Sequence, residues 1–115
     1  MKTIKVLKKM VFGTLEISKL TVYYYKKSGL EKTTISSTDY SKFTLLDLNT
    51  NIMSKPKLVG EVNTVPVGTY WLYAYEIYED GYEEIIKTDR AVTITANEST
   101  YIPAILYGIE VKAPA

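Results

Sequence analysis

The chain has 115 residues, a formal net charge of +1, no cysteine and no histidine. A chain of this length makes one domain that can bury a core without covalent staples. The near-zero charge gives no field favouring nucleic acid or acidic substrates. The missing residue types exclude disulfides, thiolate chemistry, and the commonest general base and metal ligand.

The first segment, residues 1–12, reads as a basic N-terminal arm or edge strand, and residues 13–115 as the body. Lys2, Lys5, Lys8 and Lys9 imitate the charged start of a signal peptide, but Met10, Val11 and Phe12 run straight into Gly13, Thr14 and Glu16. A secretory leader needs roughly 7–15 apolar residues, so neither a signal peptide nor a membrane span is expected. Ile4 and Val6 alternate with Lys5. This is the pattern of an edge strand whose lysines deter edge-to-edge pairing, or of an arm for an anionic surface. No aromatic residues interleave to stack on bases, and no nucleic-acid partner is expected.

Residues 14–25 form a long strand candidate. Leu15 and Ile17 share one parity and Leu20, Val22 and Tyr24 the other, which predicts a bulge near Ser18-Lys19. Residues 26–29 turn, and the polar stretch 31–36 suits an edge strand. Residues 42–48 (KFTLLDL) read as a buried strand, 49–57 as a polar loop and 58–62 as a short strand. Residues 65–68 (VPVG) turn, and Gly68 is expected to need a positive φ or a close backbone approach.

Residues 68–78 (GTYWLYAYEIY) are the most informative stretch. Successive strand residues face opposite ways. One face therefore carries Tyr70, Leu72, Ala74, Glu76 and Tyr78, and the other Trp71, Tyr73, Tyr75 and Ile77. Both are largely apolar, so the strand is covered on both sides or leaves an aromatic face for a partner. Asp80-Gly81 then suggests a two-residue type I′ hairpin pairing Glu79 with Tyr82, Ile77 with Glu84, and Tyr75 with Ile86. That register sets Tyr82 and Ile86 beside the Trp71 row and Ile85 on the Tyr70 face. Residues 91–96 alternate with Val92 and Ile94 inward. Residues 97–100 turn, and 101–107 form a strand that Pro103 confines to an edge or a bulge. No stretch has a helical period. Seven to nine short strands imply an all-β chain, a single antiparallel β-sandwich.

Eleven tyrosines are many for this length, and their apolar bodies and polar tips suit half-wet surfaces. Trp71, Tyr73 and Tyr75, with Ile77 and Tyr82, read as core, as a protein contact, or as a flat platform for a sugar. Glu79, Asp80, Glu83 and Glu84 read as a solvated hairpin tip, against a weak calcium site or an acid–base pair. Turn chemistry accounts for Asp39, Asp47 and Asp89. Glu76 is either a binding-site carboxylate or the diagonal partner of Lys87. Asn97-Glu-Ser99 is a glycan acceptor triplet or only a turn. No catalytic residue, cofactor or metal is expected.

In order, KFTLLDL at 42–48, LVG at 58–60, VPVGTY at 65–70 and AVTIT at 91–95 resemble the prealbumin-like (transthyretin-like) and carboxypeptidase-regulatory-type β-sandwiches. More narrowly they resemble an uncharacterised family of bacterial and archaeal extracytoplasmic domains with an LLDL…P-x-G-x-Y pattern. The resemblance implies a prealbumin-like or immunoglobulin-like sandwich in which Tyr70 plugs the core behind the turn. It implies an extracellular scaffold or adhesion role and supplies no catalytic residues. The combined expectation is a non-enzymatic structural or adhesion module of a virion (capsid, decoration or spike) or a surface filament. Its partners would be copies of itself or other subunits. An accessory carbohydrate- or peptide-binding domain is the other reading.

Overall fold

The parity switch within residues 14–25 becomes two strands in the computed structural model, which describes residues 10–112. These are β1, Phe12–Ile17, and β2, Leu20–Ser28. Leu15 and Ile17 before the break and Leu20 and Val22 after it are all buried. The irregularity at Ser18-Lys19 resets the pleat so that both halves aim inward. The end of the chain has the same shape. β9, Ser99–Ile102, and β10, Ile105–Glu110, are separated at Pro103-Ala104, where proline cannot donate to a ladder.

These two broken strands lie side by side in parallel, Thr14 opposite Ser99 and Leu20 opposite Ile105. The breaks coincide and are bridged: Ser18 N–H donates to Ile102 O (3.0 Å) and Ile105 N–H to Lys19 O (2.8 Å). On the opposite flank, β6 (Val62–Pro66) pairs antiparallel with β1, and β3 (Glu31–Asp39) antiparallel with β2. The second layer is antiparallel throughout: β5 (Lys57–Leu58), β4 (Lys42–Asp47), β7 (Gly68–Ile77) and β8 (Glu83–Ile94), in that spatial order. Leu15, Ile17, Leu20 and Val22 of the first layer meet Phe43, Leu45, Leu72, Val92 and Ile94 of the second in one core.

The fold is all-β and sandwich-like, as expected. It has ten strands because both long runs are broken, and it is mixed because the crossover from β8 brings β9 and β10 down parallel to β1 and β2. No helix among the described residues is long and apolar enough to cross a membrane. The basic arm's Lys2, Lys5, Lys8 and Lys9 lie outside the described residues.

Three local expectations are corrected. Asp80-Gly81 does not make a type I′ turn: Gly81 has φ +87°, whereas Asp80 is not among the positive-φ residues. Gly81 N–H donates to Tyr78 O, Tyr78 N–H donates to Tyr82 O (both 2.9 Å), and Ile77 pairs with Glu83. This is the three-residue hairpin, a type I turn followed by a left-handed glycine. It is one residue longer than the turn expected, so Tyr75 sits opposite Ile85, and Ala74 opposite Ile86. The two-residue hairpin is instead Gly29-Leu30, between Ser28 and Glu31, with Gly29 at φ +60°. Finally, Gly68 lacks a positive φ, and a Cβ there would meet only the Tyr70 ring at 3.5 Å. It is an ordinary strand residue opposite Ile94. The close approach belongs to Gly13, whose added Cβ would lie 2.4 Å from the Thr95 carbonyl oxygen. The tyrosine behind the turn does plug the core: Tyr70 is buried and its hydroxyl donates to Pro66 O at 2.6 Å.

Candidate interaction surface

Register decides which aromatic face is core. On β7, Tyr70, Leu72 and Ala74 pair with Asp47, Leu45 and Phe43 of β4 and face the other layer. Trp71, Tyr73, Tyr75 and Ile77 are thereby turned outward. Three cross-strand rows pave that outer face: Leu46–Trp71–Ala91, Thr44–Tyr73–Lys87 and Lys42–Tyr75–Ile85. Leu58 beside Lys42 and Met53 beside Leu46 extend it. Trp71 and Tyr73 are half-buried and Tyr75 is buried, while Ile77 is 43% and Ile85 51% exposed. The expected aromatic row is thus assembled, with Ile85 rather than Ile86 beside it. Tyr82 leaves it. It stands at the hairpin tip, 59% exposed, with its ring stacked on Tyr78 (centroids 5.9 Å apart).

A bulge in β8 holds the tryptophan. Leu72 faces Thr88, Asp89 and Arg90 together. The buried Thr88 hydroxyl donates to Leu72 O (2.7 Å) and accepts from Arg90 N–H (3.2 Å), and the indole N–H donates to Thr88 O. The Lys87 ammonium lies 5.4 Å from the Trp71 ring centroid, a cation–π contact that fixes the ring's outer side.

Lys87 is therefore not the partner of Glu76. The register sends Glu76 to the inner face opposite Glu84, where it accepts from the Ser41 hydroxyl (2.8 Å) and Ser41 N–H (3.1 Å). Tyrosines satisfy the neighbouring carboxylates. Tyr75 donates to Glu83 (2.6 Å), and Glu84 accepts from Tyr40 and from Tyr78. Burial first, and the Glu84 carboxylate second, push the Tyr40 phenol above the ordinary tyrosine range. For Tyr75, the bond to Glu83 comes first. Asp80 accepts from Tyr82 N–H (3.0 Å), and Asp47 from Asn49 N–H (2.8 Å) and Thr50 N–H, as turn aspartates do. Asn97 is an exposed turn residue at φ +58°. No group of three or more metal-capable side chains occurs among the described residues.

A second surface went unread in the sequence. A Cβ on Gly108 would lie 2.5 Å from the Tyr23 ring, so the ring lies against the bare backbone of β10. Lys32 donates to the Tyr23 hydroxyl (2.9 Å) and sits 4.2 Å from the Tyr25 centroid. Thr21, Ser37 and Leu106 complete an open groove of about 360 Å³. A glycine inside a strand marks such a close approach, and Gly108 carried that signal.

No known protein family, curated protein or solved structure matches this chain.

Proposed function

We propose that the chain is a non-enzymatic structural or adhesion module of an extracellular assembly, such as a virion capsid, decoration or spike protein or a surface-filament subunit. Its contacts with protein partners run through the outer face of β5-β4-β7-β8. The observation that supports this is the face itself. A solvated antiparallel sheet face is normally polar, yet here Leu46, Met53, Leu58, Trp71, Tyr73, Tyr75, Ile77 and Ile85 share one. Exposed apolar and aromatic side chains gathered on one face, here interleaved with Lys42 and Lys87, mark association sites, and Trp and Tyr are among the residues most enriched at their hot spots. Within the sandwich class we favour the prealbumin-like family, on the LLDL segment and the Tyr70 plug behind Pro66.

Light scattering over a concentration series tests the reading. The full chain is expected to associate, and Ile85→Asp with Ile77→Asp, both on exposed positions, to weaken that association at unchanged melting temperature. A chain that stays monomeric at high concentration and is found in no particle would refute it. The accessory carbohydrate-binding reading then moves forward, favoured by the Tyr23 groove, where a flat ring is flanked by Lys32, Thr21 and Ser37. A glycan array with Tyr23→Ala as control checks it.

A further inference from the structure

The sheet β10-β2-β3 has an outer face of its own, on the other layer from the aromatic rows of β7. Leu20 and Val22 point into the core, so Thr21, Tyr23 and Tyr25 point out. Three rungs cross this face: Leu106–Thr21–Asp39, Gly108–Tyr23–Ser37 and Glu110–Tyr25–Thr34. The extra residue at Ile35 bulges β3 and brings Thr34 and Ser37 to the same side. The middle rung has no side chain on β10. The Tyr23 ring occupies that place, since a Cβ on Gly108 would lie 2.5 Å from both its Cζ and its hydroxyl oxygen. A ring that leans onto β10 vacates the space beside Ser37. That space is the groove of about 360 Å³, walled by Thr21, Tyr23, Lys32, Thr34, Ser37 and Leu106.

Lys32 is the cation of this groove, and it is held in place. Its ammonium donates to the Tyr23 hydroxyl at 2.9 Å and lies 4.2 Å from the Tyr25 centroid and 5.2 Å from that of Tyr23. Being nearer the Tyr23 hydroxyl than the ring centre, it stands at the rim and leaves the groove side of the ring uncovered. Holding an exposed lysine this way costs rotamer freedom, and a group already ordered loses less when a ligand binds. The other charges of the face stand around the groove. Lys27 lies opposite Lys32, and Glu110 lies beside Tyr25. Asp39 accepts from the Thr21 hydroxyl at 2.7 Å and pairs with Lys19 at 4.0 Å.

The groove therefore offers an aromatic plane, hydroxyls along its β3 wall and one fixed ammonium at its rim. Its volume is at the low end of ligand sites, about 300–1,000 Å³, and it is open, which suits a flat ligand laid across it. A pyranose carrying a carboxylate meets all three features. Its C–H face covers the Tyr23 ring, its hydroxyls meet Thr34 and Ser37, and its carboxylate pairs with Lys32. A phosphate suits the face less well. It brings more negative charge toward Asp39 and Glu110, and like charges set together are costly. The lining residues also include no arginine, the side chain whose fork matches phosphate.

We infer that the Tyr23 groove binds a hexuronic-acid sugar, its ring stacked on Tyr23 and its carboxylate on Lys32. This rests on the carbohydrate reading of the groove and is independent of association through the outer face of β7.

A titration followed through the amide nitrogen–proton spectrum tests the inference. The probes are disaccharides of galacturonic, glucuronic and mannuronic acid, the neutral counterpart of each, and inorganic phosphate. At least one uronate disaccharide is expected to shift the Tyr23, Ser37 and Gly108 amides at millimolar concentration. It should bind about fivefold or more tighter than its neutral counterpart, the scale of one exposed ion pair. Lys32→Gln, on an exposed position, should remove that preference and leave neutral binding unchanged. Gly108→Ala should weaken every disaccharide by about tenfold or more, because the methyl pushes the ring into the groove. The atoms it meets are all at the free end of the Tyr23 side chain, so the melting temperature should stay close to the parent's. The inference is overturned if no uronate shifts those amides, if Lys32→Gln keeps the preference, or if phosphate binds as tightly as the uronates. If the neutral disaccharides bind as tightly as the acids, the acid is overturned and the carbohydrate reading stands. Ile85→Asp, on the other layer, should leave the titration unchanged, and a lost response there would overturn the assignment to this groove.

Discussion

Gly13→Ala, measured beside Gly68→Ala, puts a number on where the sandwich is tightest. At Gly13 a Cβ would sit 2.4 Å from Thr95 O, 2.8 Å from Ile94 Cγ2 and 3.0 Å from Glu98 O. Two of these atoms are backbone carbonyls. The chain around them is pinned, because Glu98 O accepts from Thr14 N–H (3.0 Å) and Asn97 N–H donates to Phe12 O (2.9 Å). The methyl cannot be relieved by turning a side chain, and overpacking of this kind costs about 1–3 kcal/mol. At Gly68 the nearest contact is the Tyr70 ring at 3.5 Å and φ is ordinary. There alanine should recover part of the strand-glycine entropy, about 0.5–1 kcal/mol. An unfolding entropy of about 2.1 cal/mol/K per residue makes 1 kcal/mol worth about 4 °C in a domain of this size. Scanning calorimetry should therefore place Gly13→Ala below Gly68→Ala by about 6–16 °C. Equal melting temperatures, or the reverse order, would refute the packing argument at Gly13.

Tyr40→Phe removes the buried donor to Glu84 and should cost about 1.5–3 kcal/mol in denaturant unfolding, the range for hydrogen bonds to charged groups. The same phenol predicts alkaline behaviour. Tyr40, Tyr70, Tyr75 and Tyr78 all hold their protons more tightly in the fold than an ordinary tyrosine does. The unfolded chain releases those protons first, near pH 10, so stability is full below about pH 10 and falls as pH rises beyond it; Tyr40→Phe should flatten part of that fall. Gly81→Ala, at φ +87°, should lose about 1–2 kcal/mol to left-handed strain. Nuclear Overhauser contacts should join Tyr75 to Ile85 across the hairpin, and contacts to Ile86 alone would restore the shorter turn.

Much of the scaffold was legible because its signals are local. Alternation marked β7 and placed Val92 and Ile94 inward. The parity switch marked the Ser18-Lys19 break, and Pro66 and Tyr70 announced the plugged turn. The hairpin register was not legible, because Asp-Gly suits both a two-residue turn and a type I turn followed by a left-handed glycine. Gly81 takes a positive φ in either case, so the two differ in the backbone of Asp80 and by one residue of register. That single residue moved Ile85 onto the aromatic row, parted Glu76 from Lys87, and withdrew Tyr82. Which face of β7 is core depends on a layer built from residues 12–28 and 99–110, a long-range fact that no pattern within β7 carries. Glu76 finds Ser41 on the connection between layers, equally out of reach of local pattern. Gly108 was different, since its strand position was a usable signal.

The coincident breaks at Ser18-Lys19 and Pro103-Ala104 leave the first and last strands as one parallel ladder, running from Thr14 and Ser99 to Tyr25 and Glu110. The backbone enters this ladder at one pole through β1 and leaves it at the other through β10. A pull applied between residues 12 and 110 therefore acts along the strands, and every rung must slide at once instead of opening one after another like a zipper. Survival under such a pull depends on the rate of forced unfolding, and shear across this ladder raises the barrier that sets that rate. A molecule built this way resists stretching along its own axis far better than peeling from its side.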